Sequence, residues 1–189
     1  MIRIIGGLAR GRLLSAPPGT RTRPTSDRAR EGFFASVTAQ RGSLEGARVL
    51  DLYAGSGAIG LEALSRGAAR AVFVESDPRA AQAIRANMTA LGLPGGQVIK
   101  GQVARVLARG PGAEPPFDLA AADPPYAMED EEIAAMLVAL TSGWLVPGAI
   151  VAVERASRSA DLAWPPGYSA DRSRRYGEAT FWYGLAAGT

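Results

Sequence analysis

Neither cysteine nor histidine occurs among the 189 residues. Without cysteine the chain has no disulfide, no thiolate nucleophile and no cysteine-ligated zinc or iron–sulfur site. Without histidine it has no Ser–His–Asp triad, no imidazole base and no histidine-ligated metal. Chemistry must run on carboxylates, backbone groups, aromatics and arginines, or on a bound cofactor, and no metal is expected. Lysine is almost missing as well: all but one of the 21 basic residues are arginine, Lys100 being the exception. Long apolar runs are missing too. The longest, Ile133 to Leu140, is eight residues, whereas a membrane-spanning helix needs about 20. The opening Met1-Ile-Arg-Ile-Ile-Gly-Gly lacks the apolar stretch of a secretory signal. A soluble, cytoplasmic protein is the expectation.

What is present is 47% hydrophobic and 21% charged, a balance that fits one compact unit with a real core. The charge is unevenly placed. Residues 1–31 hold seven arginines against Asp27 and Glu31, while the remainder carries fourteen basic and sixteen acidic groups. A basic arm on a near-neutral body points to a polyanion partner.

Residues 2–14 read as a short hairpin around a glycine-rich turn. Ser15–Thr25 carries three prolines and reads as extended loop, and a helix capped by Thr25 or Ser26 follows to about Thr38. From residue 47 strands and helices alternate. Strands are predicted at 48–53, 71–75, 97–100, 117–122 and 149–153, with helices at 57–66, 78–91, 103–108 and 129–141. Such alternation predicts an α/β fold: a Rossmann-like, mostly parallel, doubly wound sheet. Segments 169–175 and 179–185 flank Gly177 without a helix between them and predict an antiparallel C-terminal hairpin at the sheet edge. The arm, residues 1–40, thus precedes a cofactor-binding unit, residues 41–189.

Asp51-Leu-Tyr-Ala-Gly55-Ser-Gly57-Ala-Ile-Gly60 lies between a strand and a helix. Its glycines match the dinucleotide fingerprint, with Glu75 closing the second strand. Asp51 discriminates between ligands. A dinucleotide would bring an anionic pyrophosphate to the loop, close to that carboxylate. S-adenosylmethionine carries an ammonium and a sulfonium instead, so Asp51 can orient the cationic methionine end and Glu75 can accept from the ribose hydroxyls. Asp123-Pro124-Pro125-Tyr126 follows the fourth strand, at the edge where such sheets bind ligands. An exocyclic amine on a nucleobase is a poor nucleophile. The Asp123 carboxylate and the Pro124 carbonyl can accept its hydrogens, in a turn that brings no competing proline N–H. Tyr126 offers a face for the extruded base.

These motifs resemble those of the class I S-adenosylmethionine-dependent amino-methyltransferases. Arg3-Ile-Ile-Gly-Gly-x-x-Arg10-Gly-Arg12, followed by Thr22-Arg-Pro-Thr-Ser-Asp27-Arg-x-Arg30-Glu31, is similar to the RsmD family. The likeness runs from residue 1 to about 155. It implies a methyltransferase acting on the N2 amine of one guanine of 16S ribosomal RNA, guanine 966, as naked RNA or in the 30S subunit, and a monomer is expected. Catalysis would rest on Asp123, Pro124, Pro125 and Tyr126. The cofactor site would comprise Asp51, Tyr53, Ala54, Gly55, Gly57, Glu75, Ser76, Gln102 and Val103, with Arg23 and Thr25 near the methionine end. Many relatives of the wider class place an acid after the third strand to meet adenine, and this chain has Lys100-Gly-Gln102 there. The RNA contacts expected from the arm are Arg3, Arg10, Arg12, Arg21, Arg28 and Arg30. An adenine-N6 DNA methyltransferase and a non-catalytic RNA-binding assembly factor are the alternatives.

Overall fold

The computed structural model describes residues 2–16 and 26–187. Two short strands, β1 (Ile2–Arg3) and β2 (Leu13–Leu14), pair antiparallel with Ile2 opposite Leu14. Helix α1 (Asp27–Arg41) starts at Ser26, whose hydroxyl accepts from the Ala29 amide at 3.1 Å, and satisfies one of the orphan donors of the first turn. There follow β3 (Arg48–Leu52), α2 (Ala58–Ser65), β4 (Arg70–Glu75), α3 (Pro78–Leu91), β5 (Gly96–Lys100), α4 (Val103–Ala108), β6 (Phe117–Ala122), α5 (Asp130–Leu140), β7 (Leu145–Ala156), β8 (Tyr168–Tyr176) and β9 (Ala179–Ala186).

Seven strands form one sheet in the order β5-β4-β3-β6-β7-β9-β8. The first five are parallel, and β9 pairs antiparallel with both β7 and β8. The chain winds outward from β3 to β5, then returns to lay β6 on the other side of β3. That reversal opens a crevice past the carboxyl ends of β3 and β6, the place where a ligand can enter a doubly wound sheet.

Period-two alternation sorts the core into two layers. Val49, Phe73, Leu119 and Ala152 face the layer shared with α1, α2 and the N-terminal hairpin, whereas Leu50, Val72, Ala120 and Val151 face the layer of α4 and α5. Ile2, Ile4, Phe33 and Phe34 of the first segment share the former layer with the sheet. Phe33 meets Phe34 edge-to-face at 4.9 Å and Phe181 of β9 at 5.3 Å.

The hairpin is bolted to α2 by polar groups. Glu62, wholly buried, accepts from the amides of Ile5 and Gly6, both at 2.7 Å, and from Arg66 Nε at 2.8 Å. Ser65 Oγ accepts from the Ala9 amide and donates to the Gly6 carbonyl. Gly7 (φ 77°) passes so close that an added Cβ would lie 1.8 Å from the Ser65 carbonyl oxygen. Buried Asn87 on α3 holds both the amide and the carbonyl of Ser15.

The fifth core strand is longer than predicted. β7 covers Leu145–Ala156, and its ladder with β6 jumps from Phe117↔Leu145 to Leu119↔Ile150. Pro147 and Gly148, the latter at φ 78°, sit in that irregular stretch and break the apolar pattern that announces a strand. Among the described residues no helix is long and apolar enough to cross a membrane.

Candidate active site

Asp51 occupies the last turn of the pleat before β3 ends, on the same face as buried Val49. It is 4% exposed, and its Oδ2 accepts from the Gly60 amide at 2.9 Å. The next-but-one residue, Tyr53, has φ 57°, the one non-glycine residue with a left-handed backbone among those described. This sparsely populated conformation turns the chain sharply into the glycine loop. The Ala54 amide donates to the Val74 carbonyl, and the Gly57 amide to the Ala54 carbonyl at 2.7 Å. Gly60 lies so near β4 that a Cβ there would stand 2.3 Å from the Phe73 ring. Its lack of a side chain lets the start of α2 rest on the sheet.

Glu75 ends β4 and turns back to the loop. One carboxylate oxygen accepts from the Gly55 amide and the other from the Asp77 amide, both at 2.7 Å. Asp77 itself caps α3 through the amides of Arg79 and Ala80. The Gly101 amide donates to the Glu75 carbonyl at 2.9 Å, which sets exposed Gln102 and buried Val103 beside the end of β4. Ser76 is exposed there as well.

Asp123-Pro124-Pro125-Tyr126 leaves the end of β6. The Asp123 amide donates to the Leu52 carbonyl at 3.3 Å, and the Met128 amide to the Pro125 carbonyl at 2.9 Å, so the turn is closed at both ends. Pro124 is buried, while Tyr126 keeps 54% of its surface exposed. Tyr126 Oη stands 3.5 Å from Oε1 of Glu154, a buried acid on β7. Beside it Arg155 pairs with Asp130 at 2.6 Å and ties β7 to α5.

Four carboxylates thus converge at one end of the sheet: Asp51, Glu75, Asp123 and Glu154. Burial pushes the Asp51 carboxyl up to about 7, against the Gly60 amide that lowers it, and the Glu75 charge raises it further. Asp123 is raised well above the usual carboxylate range, by the surrounding protein first, then by the charges of Glu154 and Asp51. Such a site favours a cationic ligand and disfavours a phosphate. The residues present fit S-adenosylmethionine on those grounds: acid for the cationic end, acid plus loop amides near a ribose, and no anion-binding cluster of arginines among the described residues lining the loop.

The structure brings Asp51, Tyr53, Ala54, Gly55, Gly57, Glu75, Ser76, Gln102, Val103 and Asp123–Tyr126 to the same end of the sheet. Arg21, Arg23 and Thr25 lie outside the described residues. Arg3, Arg10, Arg12 and Arg28 are exposed, although Arg3 pairs with Asp27 at 3.0 Å and Arg12 donates to the Ala90 carbonyl at 2.7 Å. Arg30 needs correction. It is 1% exposed and donates to the Arg3 carbonyl at 2.6 Å and to Asp27 at 2.8 Å. Its guanidinium fastens α1 to β1 and is out of reach of a phosphate. Glu154 escapes sequence reasoning, because an acid closing an apolar strand is the one signal it leaves. Arg175 on β8 also gains a place: it lines a cleft of about 280 Å³ together with Ser26, Arg28, Tyr176 and Gly177.

Against known proteins, the sequence model of the family described as Conserved hypothetical protein 95 matches residues 2–184. The Ribosomal RNA small subunit methyltransferase D of Escherichia coli (strain K12) is 34% identical over 180 residues, covering 95% of this chain and 87% of the relative. A solved Escherichia coli structure, yhhF, superposes with a TM-score of 0.82 at 32% identity, covering 100% of this chain and 99% of that one. A hypothetical protein of Thermus thermophilus superposes with a TM-score of 0.81 at 31% identity over 100% of both chains.

Proposed function

The chain belongs to the Conserved hypothetical protein 95 family, the RsmD family its motifs resemble, and from that premise we propose that it transfers a methyl group from S-adenosylmethionine to the N2 amine of a guanine in 16S ribosomal RNA. The family pattern points to guanine 966. The observation that carries the reading is the line of acids at the switch point, Asp51 and Glu75 on one side and Asp123 with its Pro-Pro turn on the other. The likeness to the Escherichia coli Ribosomal RNA small subunit methyltransferase D supports the same substrate class.

The cofactor, when bound, supplies an electrophilic methyl group on a sulfonium. Asp51 would hold its cationic end, and Glu75 would accept from its ribose hydroxyls while keeping the Gly55 and Asp77 amides that fix the carboxylate. Gln102 and Val103 would lie beside its adenine. On the substrate side, Asp123 and the Pro124 carbonyl would accept the hydrogens of the guanine amine and leave its lone pair free, and the Asp123 carboxylate would take up the proton the amine gives up as it gains the methyl group. Tyr126 stacks on the base, which must be unpaired or flipped to reach it. Little more than positioning and charge placement is required of the protein, which suits a chain without histidine or cysteine. Arg3, Arg10, Arg12, Arg21 and Arg28 make the phosphate contacts, and Arg175 stands beside Arg28 in their shared cleft.

Methyl-labelled S-adenosylmethionine offered with unmethylated 30S subunits, naked 16S RNA and duplex DNA tests this directly. Label in N2-methylguanosine from the ribosomal substrate is expected. Label in N6-methyladenine of DNA would replace the reading with the DNA methyltransferase, and bound cofactor without transfer to any of the three would favour the assembly factor.

A further inference from the structure

We propose that the cleft between the start of α1 and the β8–β9 turn grips one backbone phosphate of the RNA strand that carries the target base, so that Arg28 and Arg175 set the register of that strand over the Asp123–Tyr126 turn. The inference rests on the RNA-methylation reading above. Ser26 and Arg28 form one wall of this space of about 280 Å³, and Arg175, Tyr176 and Gly177 form the other. The strand ladders put it at the carboxyl end of the parallel strands. Beyond Ala122↔Val153 the next row runs Glu154↔Phe181↔Arg174, so Arg175 closes β8 near the level at which Asp123 leaves β6. Three strand spacings separate β6 from β8, about 14 Å in all. A few nucleotides of single strand span that distance.

The two walls are locked to each other. The Tyr176 ring lies against Gly32 of α1, where an added Cβ would stand 2.2 Å from it, and it meets Phe181 edge-on at 6.2 Å. The Ser157 amide donates to the Glu178 carbonyl at 2.8 Å and the Ser157 hydroxyl to the Gly177 carbonyl at 2.9 Å, which ties the turn to the end of β7. Arg175 Nε donates to that same Gly177 carbonyl at 3.2 Å. The bond orients the guanidinium and leaves both terminal nitrogens for a ligand. Asp27, in the first turn of α1, is engaged by Arg3 and Arg30. Among the described residues neither Arg28 nor Arg175 makes an ion pair, and neither Glu31 nor Glu178 lines the cleft. Two like charges bordering one rigid space repel until an anion comes between them. A phosphodiester suits that place: guanidinium forks match its paired oxygens, and Ser26, the cap of α1, brings the positive end of the helix dipole to the same space.

Fluorescence anisotropy with a labelled single-stranded fragment of 16S ribosomal RNA containing the target guanine tests this, using Arg28→Gln, Arg175→Gln and the double variant. Each single variant should weaken binding by about tenfold. The double variant should lose far less than the roughly hundredfold that independent contacts would add up to, because both guanidiniums serve one phosphate. Its slope of log affinity against log salt should fall by about 0.7, the step for one phosphate of a single strand, and not by two such steps. In the Arg28→Gln background Arg175→Lys should keep that step, whereas Arg175→Gln removes it. Wild-type affinity in the double variant, or additive losses with two steps of slope, would overturn the shared site. So would equal effects of Lys and Gln with a lowered melting temperature, which would make Arg175 a brace for the turn alone. A wild type that binds and methylates ribosomal RNA while the double variant matches it sinks the cleft alone, whereas a wild type that labels no ribosomal RNA sinks the underlying reading as well.

Discussion

A carboxyl whose pKa is near 7 in the fold and 3.8 when exposed holds its proton more tightly folded than unfolded. Between those values the native state binds more protons, so stability falls as pH rises from about 4 to about 7, and the cost persists above. For Asp51 that cost is on the order of 4 kcal/mol. Asp51→Asn, which retains an acceptor for the Gly60 amide, should flatten this part of the profile. Urea denaturation of the ligand-free protein at pH 5 and pH 8 measures the difference. A cation on Asp51 restores its charged form, so cofactor binding at pH 6 should release protons, and the variant should release fewer. Calorimetry in buffers of different ionisation enthalpy reads this. On the proposed reading Asp123 acts on the other substrate: Asp123→Ala should lower methyl transfer by about 100- to 1,000-fold while leaving cofactor affinity near wild type. Comparable turnover in that variant would remove Asp123 from the amine.

At the scale of elements, the hairpin depends on α2 through Glu62. Truncation to alanine leaves two amides and the Arg66 guanidinium without their acceptor. Glu62→Ala should therefore cost about 3 kcal/mol in urea unfolding, and the hairpin amides should lose hydrogen-exchange protection first. The sequence made the strands and helices of residues 48–141 readable because each has one period and clear turn residues; α3 and α4 begin and end where their patterns do. The Asp123–Tyr126 turn and the glycine loop could be singled out for a related reason: each is a run of contiguous residues. Glu62, Asn87 and Glu154 are not readable in this way. Their meaning comes from partners 56 or 57, 72 and 28 positions away, and no local period encodes such pairings. Arg30 misled for the same reason. It has the composition of a phosphate contact, yet the fold buries it against β1.

For the molecule as a whole, the exposed arginines predict a salt-dependent encounter with RNA. Five phosphate contacts give a log–log slope of affinity against salt near −3.5 for a single strand, roughly −0.7 per contact. Arg10→Ala should reduce that slope by about one such step, measured by fluorescence anisotropy across salt concentrations. Arg30→Ala should leave the slope unchanged and lower the melting temperature instead, because its bonds are internal. A second whole-molecule property follows from the strand order. Among the described residues the sheet terminates in β8, beyond which no further strand pairs, and that strand carries Arg172, Arg174 and Arg175. Two copies meeting edge to edge would bring these like charges together, so the strand that closes the sheet also resists its continuation into a second molecule. Replacing the three with threonine keeps β propensity and removes the repulsion. Light scattering at rising protein concentration should then detect growing assemblies where the native chain stays dispersed.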